Sequence, residues 1–383
     1  MSTFGGTLAE IPGISVDRFD GANLDSEAFF LSHCHTDHMK GLEAPEFHEK
    51  LAQNRRFLYL SHVSAEIVRR MFPKIGDNLI ELDMRSPTSV FLQSGAISVT
   101  PIPAGHCPGS IMFLFEAQVN VLYTGDYRIN PRDIPKFTAF YDSLNAKKRI
   151  EAVYLDTTFF LKSYAKFPPR AESLEEICSI ISDWISRSDK HVIGLDTSAK
   201  YGYEYLFIEI YKQIKMPIHV NDEIYEFYSR VPEMDRAVTR SKDTRIHSAC
   251  GTTYRTVCPN TVHYNVKVVK VSAFRWKSES LQNGISEKTH NTHFVCYSTH
   301  ASFEEGVELV KFLEPRKVEA NVLHRETAEE ILRNIRECLG EEGPKTKKVK
   351  LFEADEEERV REVGERGFGE LSSILDSPPR KYT

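Results

Sequence analysis

Hydrophobic and polar positions change their spacing several times along the chain, and those changes divide it into parts. In the first third, short apolar runs stop abruptly at polar residues: Phe29-Phe30-Leu31, Phe57 to Leu60, Ile97 to Ile102, Ile111 to Phe115 and Val119 to Tyr123. Such runs, too short and too continuous for an amphipathic helix, predict buried strands. Ala152-Val153-Tyr154-Leu155 is another, and it ends on Asp156. From Glu172 the spacing turns helical, with Leu174, Ile177, Ile181 and Ile185 recurring behind the capping pair Ser173 and Glu176. Strand-like His191 to Leu195, Pro217 to Val220, Arg245 to His247 and Val266 to Val271 then alternate with helical or loop segments, a second α/β unit.

Phe294 to Tyr297 is again a short strand ending in polar Ser298-Thr299-His300, the pattern of the first third. The expected organisation is therefore one domain made of residues 1–156 and 293–342, interrupted by an inserted domain over 157–292. Two further capping pairs, Ser302 with Glu305 and Thr327 with Glu330, predict helices, the second closing near Gly340, and Val318 to Leu323 predicts an edge strand between them. Residues 343–383 lose all periodicity and are expected to be a flexible tail with one weak helix.

Length and composition agree with this division, since 383 residues at 41% hydrophobic content suffice for two cores. No run of eighteen uncharged apolar residues and no basic-then-apolar leader occurs, so the expectation is a soluble, intracellular protein without a membrane partner. Seven cysteines without dense even spacing argue for thiols or metal ligands rather than a disulfide framework. The net charge of −6 conceals an uneven distribution. Arg230 to Lys277 contains ten Lys or Arg against Glu233, Asp235 and Asp243, a stretch suited to a polyanion held through counterion release. Tyr254, Tyr264, Phe274 and Trp276, interleaved there, are either stacking surfaces for unpaired bases or core residues at strand spacing. The run Lys345-Thr346-Lys347-Lys348-Val349-Lys350 reads as a nuclear-import signal or as a solvated charge run.

The densest chemistry lies in His33-Cys34-His35-Thr36-Asp37-His38. Divalent metals take neutral imidazole and carboxylate ligands, and a catalytic site keeps a position open for water. In an extended loop His33 and His35 point the same way and can meet one ion, while Asp37 and His38 turn onto an adjacent position, an arrangement that suits two metals. His106 follows the strand ending near Ile102, and Asp126 follows Leu122-Tyr123, so both are placed to complete the set, each beside a glycine that permits close backbone approach.

His33-x-His35-x-Asp37-His38 with His106 and Asp126 resembles the ligand signature of the metallo-β-lactamase superfamily. The resemblance implies an α/β fold, the αββα sandwich, with His33, His35, His106 and Asp126 around one metal and Asp37, His38 and a bridging Asp126 around a second. Asp17 in Val16-Asp17-Arg18-Phe19-Asp20 looks like the family's early aspartate, which supports the histidine loop. Leu155-Asp156-Thr157-Thr158-Phe159, Tyr201 to Phe207 and His300 are similar to motifs of the β-CASP nucleases, whose inserted α/β domain would be residues 157–292. Within them the similarity is to the DNA-processing branch of Artemis type, and it runs from about Thr7 to about Leu339. RNA-cleaving relatives typically carry Glu at the position of Asp156.

The resemblance implies a metal-dependent DNA nuclease that leaves 5′-phosphate and 3′-hydroxyl ends, acting in the nucleus in DNA end processing and repair. Its implied cofactors are Zn2+ at one or two active-site positions, with Mg2+ or Mn2+ as an option at the second. Asp37, Asp156, His300 and Asp17 are the implied catalytic set, with Asp37 orienting or deprotonating the water and Asp156 and His300 organising the second metal position. Expected partners are DNA ends, hairpins, overhangs or single strands, together with repair proteins, the chain itself being a monomer. Lys40, Lys200, Arg275 and Lys277 are candidate phosphate contacts. His219, His247, Cys250 and Cys258 supply two imidazoles and two thiols, a full tetrahedral set of the closed, structural kind, and Artemis is similar in carrying a zinc there. This chain departs in spacing, with two residues between His247 and Cys250 where Artemis has one and a much shorter loop to Cys258. The alternative for these four is a pair of core histidines and two buried thiols. An RNA endonuclease and a non-catalytic scaffold on the same fold are the competing functions; the intact ligand set argues against the latter.

Overall fold

Strands buried on both faces need continuous apolar runs, and parallel sheets are built from them. Ile14–Val16, Ala28–Leu31, Leu58–Leu60 and Leu79–Glu81 lie side by side in that order, all parallel. These coordinates come from a computed structural model that describes residues 2–340 apart from 198–201, 229–230, 232–233, 251–257, 259–260 and 262, with the side chains at 54 and 227 also left aside. Lys200, Tyr201, Arg230, Glu233, Tyr254, the lysine run 345–350 and the tail helix expected beyond it therefore lie outside the described residues.

A second sheet has six strands in the order Lys317–Ala320, Ala152–Leu155, Asn120–Tyr123, Ile111–Glu116, Gly95–Pro103 and Thr88–Leu92. The first three are parallel and the remainder antiparallel. Alternation along each strand sorts side chains to two faces. Phe30, Phe113, Phe115, Val121, Tyr123 and Tyr154 meet in one buried cluster that joins the two sheets. Phe29 and Leu31 point the other way, under helices Pro45–Asn54 and His62–Met71, with Phe47, Leu51, Ala65 and Val68. Leu114, Leu122, Val153 and Leu155 likewise pack beneath helices Phe303–Leu313 and Ala328–Cys338 through Leu309, Val310, Leu313, Ile331 and Ile335.

The third sheet runs Val238–Thr239, Ile218–His219, Ile246–Ser248, His191–Thr197, Asn265–Ser272, Thr292–Cys296 and Ser286–Thr289. Its pairings are parallel except the last. Helices Arg170–Ile185 and Glu204–Ile214 cover it through Leu174, Ile177, Ile181, Leu206, Phe207 and Ile210. Among its described residues the molecule is thus a mixed α/β protein with three sheets, and no helix there is long and apolar enough to cross a membrane.

Two local expectations fail for reasons of backbone geometry. The helix expected to start behind Ser173 begins at Arg170, directly after Pro169, and Ser173 is buried inside it with no cap bond. Pro168-Pro169 sets the helix start, because proline disfavours helical geometry before it and is itself preset for a first turn. Thr327 does precede a helix, but its own backbone is already helical and its side chain caps nothing. The Ser302 and Glu305 box forms in full. The basic stretch also changes character on folding: Arg240 pairs with Asp222 and Glu226, Lys270 with Asp196 and Arg275 with Glu287, acids supplied from outside the stretch or beyond its end.

Candidate metal centre

Each site residue is delivered by the end of a strand. Ala28–Leu31 leads to His33, Gly95–Pro103 to His106, Asn120–Tyr123 to Asp126, Ala152–Leu155 to Asp156 and Thr292–Cys296 to His300. Two glycines let the loops close in. A Cβ on Gly105 (φ +68°) would lie 2.6 Å from the Arg128 carbonyl oxygen, and one on Gly125 (φ +51°) 2.7 Å from Ser32 Oγ.

The loops converge. His35 Nδ1 lies 3.1 Å from His33 Nε2 and 3.0 Å from His106 Nε2, and Asp126 Oδ2 lies 3.6 Å from the same two Nε2 atoms. Ligands about 2.0–2.1 Å from a tetrahedral ion stand roughly 3.3 Å apart, which is this spacing. Proton accounting points the same way. Asp17 accepts from the backbone N–H of Ser32 at 2.6 Å and from its hydroxyl at 2.5 Å, so Ser32 Oγ is left to accept from His33 Nδ1 at 3.0 Å. His106 Nδ1 donates to the Thr299 carbonyl at 3.0 Å. With both Nδ1 protons spent, the Nε2 atoms of His33 and His106 are bare lone pairs facing one another, His35 and a carboxylate. One proton on His35 Nδ1 cannot satisfy both. Burial pushes His33, His35 and His106 below the usual imidazole range, with neighbouring imidazoles adding to the effect, so all three sit in the neutral form that ligates.

The next position over is organised differently. His38 Nδ1 donates to Asp17 Oδ2 at 2.8 Å, which aims its Nε2 at Asp126 Oδ1, 3.3 Å away, and Asp37 Oδ2, 3.9 Å away. Burial opposes charge on His38, but Asp126 and Asp17 outweigh it and hold the ring well above its usual range. In turn His38 and His300 outweigh the burial of Asp126 and hold its carboxyl well below the ordinary carboxylate range. His300 Nδ1 lies 2.9 Å from Asp156 Oδ2 and 3.9 Å from Asp126 Oδ2, and burial there is again overcome by Asp156 and Asp126, which raise the histidine. Asp156 is fixed by the backbone N–H groups of Tyr127 and Thr158. Two donor groups, His33, His35, His106, Asp126 and Asp126, Asp156, His300, thus share Asp126.

A cleft of about 220 Å³ opens over this cluster, lined by His35, Asp37, His106, Asp126 and His300 together with the aromatics Phe159, Tyr203, Phe274 and Tyr297. Asp17 does not line it; its oxygens are taken by Ser32, His38 and Tyr123, so it positions His38 from behind. Lys40 is exposed, 3.8 Å from Asp20, and Arg275 is held on Glu287 and stacked over Phe294 at 4.2 Å, while Lys277 is exposed beside helix Ser278–Leu281.

The sequence reading missed several members of the site. The backbone N–H of Ser2 donates to Asp37 Oδ2 at 2.7 Å. The buried Arg128 donates to the Ser298 carbonyl at 2.9 Å, and Arg170 to the carbonyls of Ser298 and Thr299 at 3.3 and 3.4 Å, together pinning the loop that carries His300. Only Ser298-Thr299 beside His300 hinted at that loop's role, and a carbonyl leaves no sequence signal.

The second cluster forms where the third sheet places it. His219 and His247 are register partners on adjacent parallel strands. Their Nδ1 atoms lie 3.0 Å apart, with Cys250 Sγ 3.2 Å and Cys258 Sγ 3.7 Å from His219 Nδ1. Burial pushes the Cys250 thiol up and, with His219, pulls His247 down to about 4.

No family model matches the chain. Protein artemis of Gallus gallus is 35% identical over 350 residues, 84% of this chain and 48% of its own length, and that of Danio rerio is 35% identical over 349 residues, 84% of this chain and 54% of its own. The 5′ exonuclease Apollo of Gallus gallus is 29% identical over 322 residues, 82% of this chain and 61% of that one. The chain spans about half the length of the Artemis proteins it matches. A solved structure of a protein of unknown function from Enterococcus faecalis aligns at 15% identity with a TM-score of 0.49, covering 79% of this chain and 76% of that one, a likeness on which nothing here rests. These are the proteins to which the ligand and β-CASP motifs point, and over the matched residues the chain is a homologue of Artemis and Apollo.

Proposed function

We propose that this chain is a metal-dependent DNA nuclease of Artemis type that hydrolyses phosphodiesters to 5′-phosphate and 3′-hydroxyl ends in the repair of broken or crosslinked DNA in the nucleus. The observation that carries the proposal is the pair of bare imidazole lone pairs at His33 and His106, facing the Asp126 carboxylate and a His35 whose single proton cannot satisfy both. Such a donor set fits a divalent cation, and zinc suits its imidazoles and carboxylate. His33, His35, His106 and Asp126 would hold one ion; Asp37, His38, Asp126, Asp156 and His300 surround the place for a second, which zinc, magnesium or manganese could fill. A bound ion supplies acidity to water and charge for the phosphate oxygens. The chain's own part is to orient: Asp37, on the cleft wall, directs and takes the proton of the attacking water, while Asp156 sets His300 toward the phosphate.

The two sheets joined by the Phe30 and Phe113 cluster, with helices outside each, support a metallo-β-lactamase αββα sandwich, and the third sheet supports a β-CASP insertion. The boundary expected at 293 would cut the strand Thr292–Cys296, so the insertion is better ended after Cys296. His219, His247, Cys250 and Cys258 would hold a structural zinc, their donor spacing fitting a closed tetrahedron. Digestion of end-labelled hairpin, overhang and single-stranded DNA, with matching RNA strands, by metal-analysed protein tests the reading. DNA cut to 5′-phosphate products supports it; preference for the RNA strands, or no cutting with zinc bound, overturns it.

A further inference from the structure

One wall of the cleft has no part in metal chemistry. Of the four aromatics interleaved in the basic stretch, Trp276 is 3% exposed and belongs to the core, whereas Phe274 is 64% exposed on the cleft wall. Tyr264 stands before the strand Asn265–Ser272 and Phe274 after it, so that strand's length, roughly 25 Å, keeps Tyr264 away from the metal cluster. Phe274 is also held firmly. Its ring rests on Phe159 with centroids 4.8 Å apart, and its carbonyl accepts from the Tyr164 hydroxyl at 3.0 Å. Phe159 is buried, wedged against Tyr164 at 4.8 Å and Phe167 at 4.9 Å, and its ring reaches His300 at 6.0 Å.

A solvent-facing ring packed on a buried one, beside a donor set that would hold divalent cations and through them draw an anion, calls for a ligand with a flat apolar face next to a negative charge. A nucleotide has that form. Bases inside a duplex have both faces covered by their neighbours, whereas an unpaired base can swing out and offer a face, and stacking on an aromatic ring tolerates any base. We propose that Phe274 is the platform on which an unpaired nucleobase stacks while its strand lies across the metal cluster. This rests on the nuclease reading above.

The test uses the zinc-loaded full chain and a duplex with a short overhang whose first unpaired nucleotide is either 2-aminopurine or an abasic residue. Wild type should bind the abasic strand more weakly by roughly 5- to 150-fold, the worth of one base–aromatic stack, and should quench 2-aminopurine. In Phe274→Ala the two strands should bind alike and the quenching vanish. Phe274→Leu, which keeps an apolar side chain of similar bulk without the flat ring, should behave as Phe274→Ala, and Phe274→Trp should restore the discrimination. Variants that discriminate as wild type does overturn the platform and leave the nuclease reading standing. A wild type that neither binds nor cuts any of these strands overturns the nuclease reading, and the platform with it.

Discussion

The molecule carries two histidine clusters, and they differ in donors, support and exposure. At the third sheet, two imidazoles and two thiols meet over adjacent strands, with His219, His247 and Cys258 buried. In the cleft, imidazoles share the space with Asp37, Asp126 and Asp156 on loops that leave strand ends, and the cluster opens into a cavity. Four soft, enclosed donors suit an ion that never exchanges its ligands, while carboxylates and an open side suit one that must accept water and substrate. The same residue type therefore serves two purposes, and its companions decide which.

Three variants would break or sharpen this contrast. The largest effect is expected at Asp37→Ala, which removes the group proposed to handle water: cleavage should fall by about 10²–10⁴-fold with DNA binding retained, measured by single-turnover digestion beside a binding titration. The pair Cys250→Ser and Cys258→Ser should cost one zinc per chain and several kcal/mol of unfolding free energy, read by metal analysis and denaturant titration. Unchanged zinc would return these four to the status of core residues. The smallest is Asp17→Asn, which keeps the shape but weakens the charged acceptor of His38 Nδ1. Metal affinity in the cleft should drop by roughly 10–100-fold while that of the His219 cluster is unchanged, a split that a competition titration with a chelator resolves.

The ligands themselves were legible because chemistry and periodicity coincide in them: His33, His106, Asp126, Asp156 and His300 each follow an apolar run, and strand ends are where loops converge. Their supports were not. The Ser32 hydroxyl, the Thr299 carbonyl and the Ser2 N–H act through atoms that every chain contains, and only the fold selects them. Counting charge along the sequence leaves out part of the balance for a related reason. The acids that neutralise Arg240, Lys270 and Arg275 come from Asp222, Glu226, Asp196 and Glu287, all outside the basic stretch. Likewise, no local pattern tells Phe274 from Trp276, one facing the cleft and the other the core.

The bond from His106 to the Thr299 carbonyl joins residues 193 positions apart. A ribosome adding about 5–20 residues per second delivers Thr299 roughly 10–40 seconds after His106. Throughout that interval the nascent chain holds His33, His35 and His106 without the carbonyl that fixes the last ring's tautomer, and without the arginine-pinned loop that brings His300. The support of the last ring is thereby completed only after the strands of the third sheet, residues 191–296, have been made.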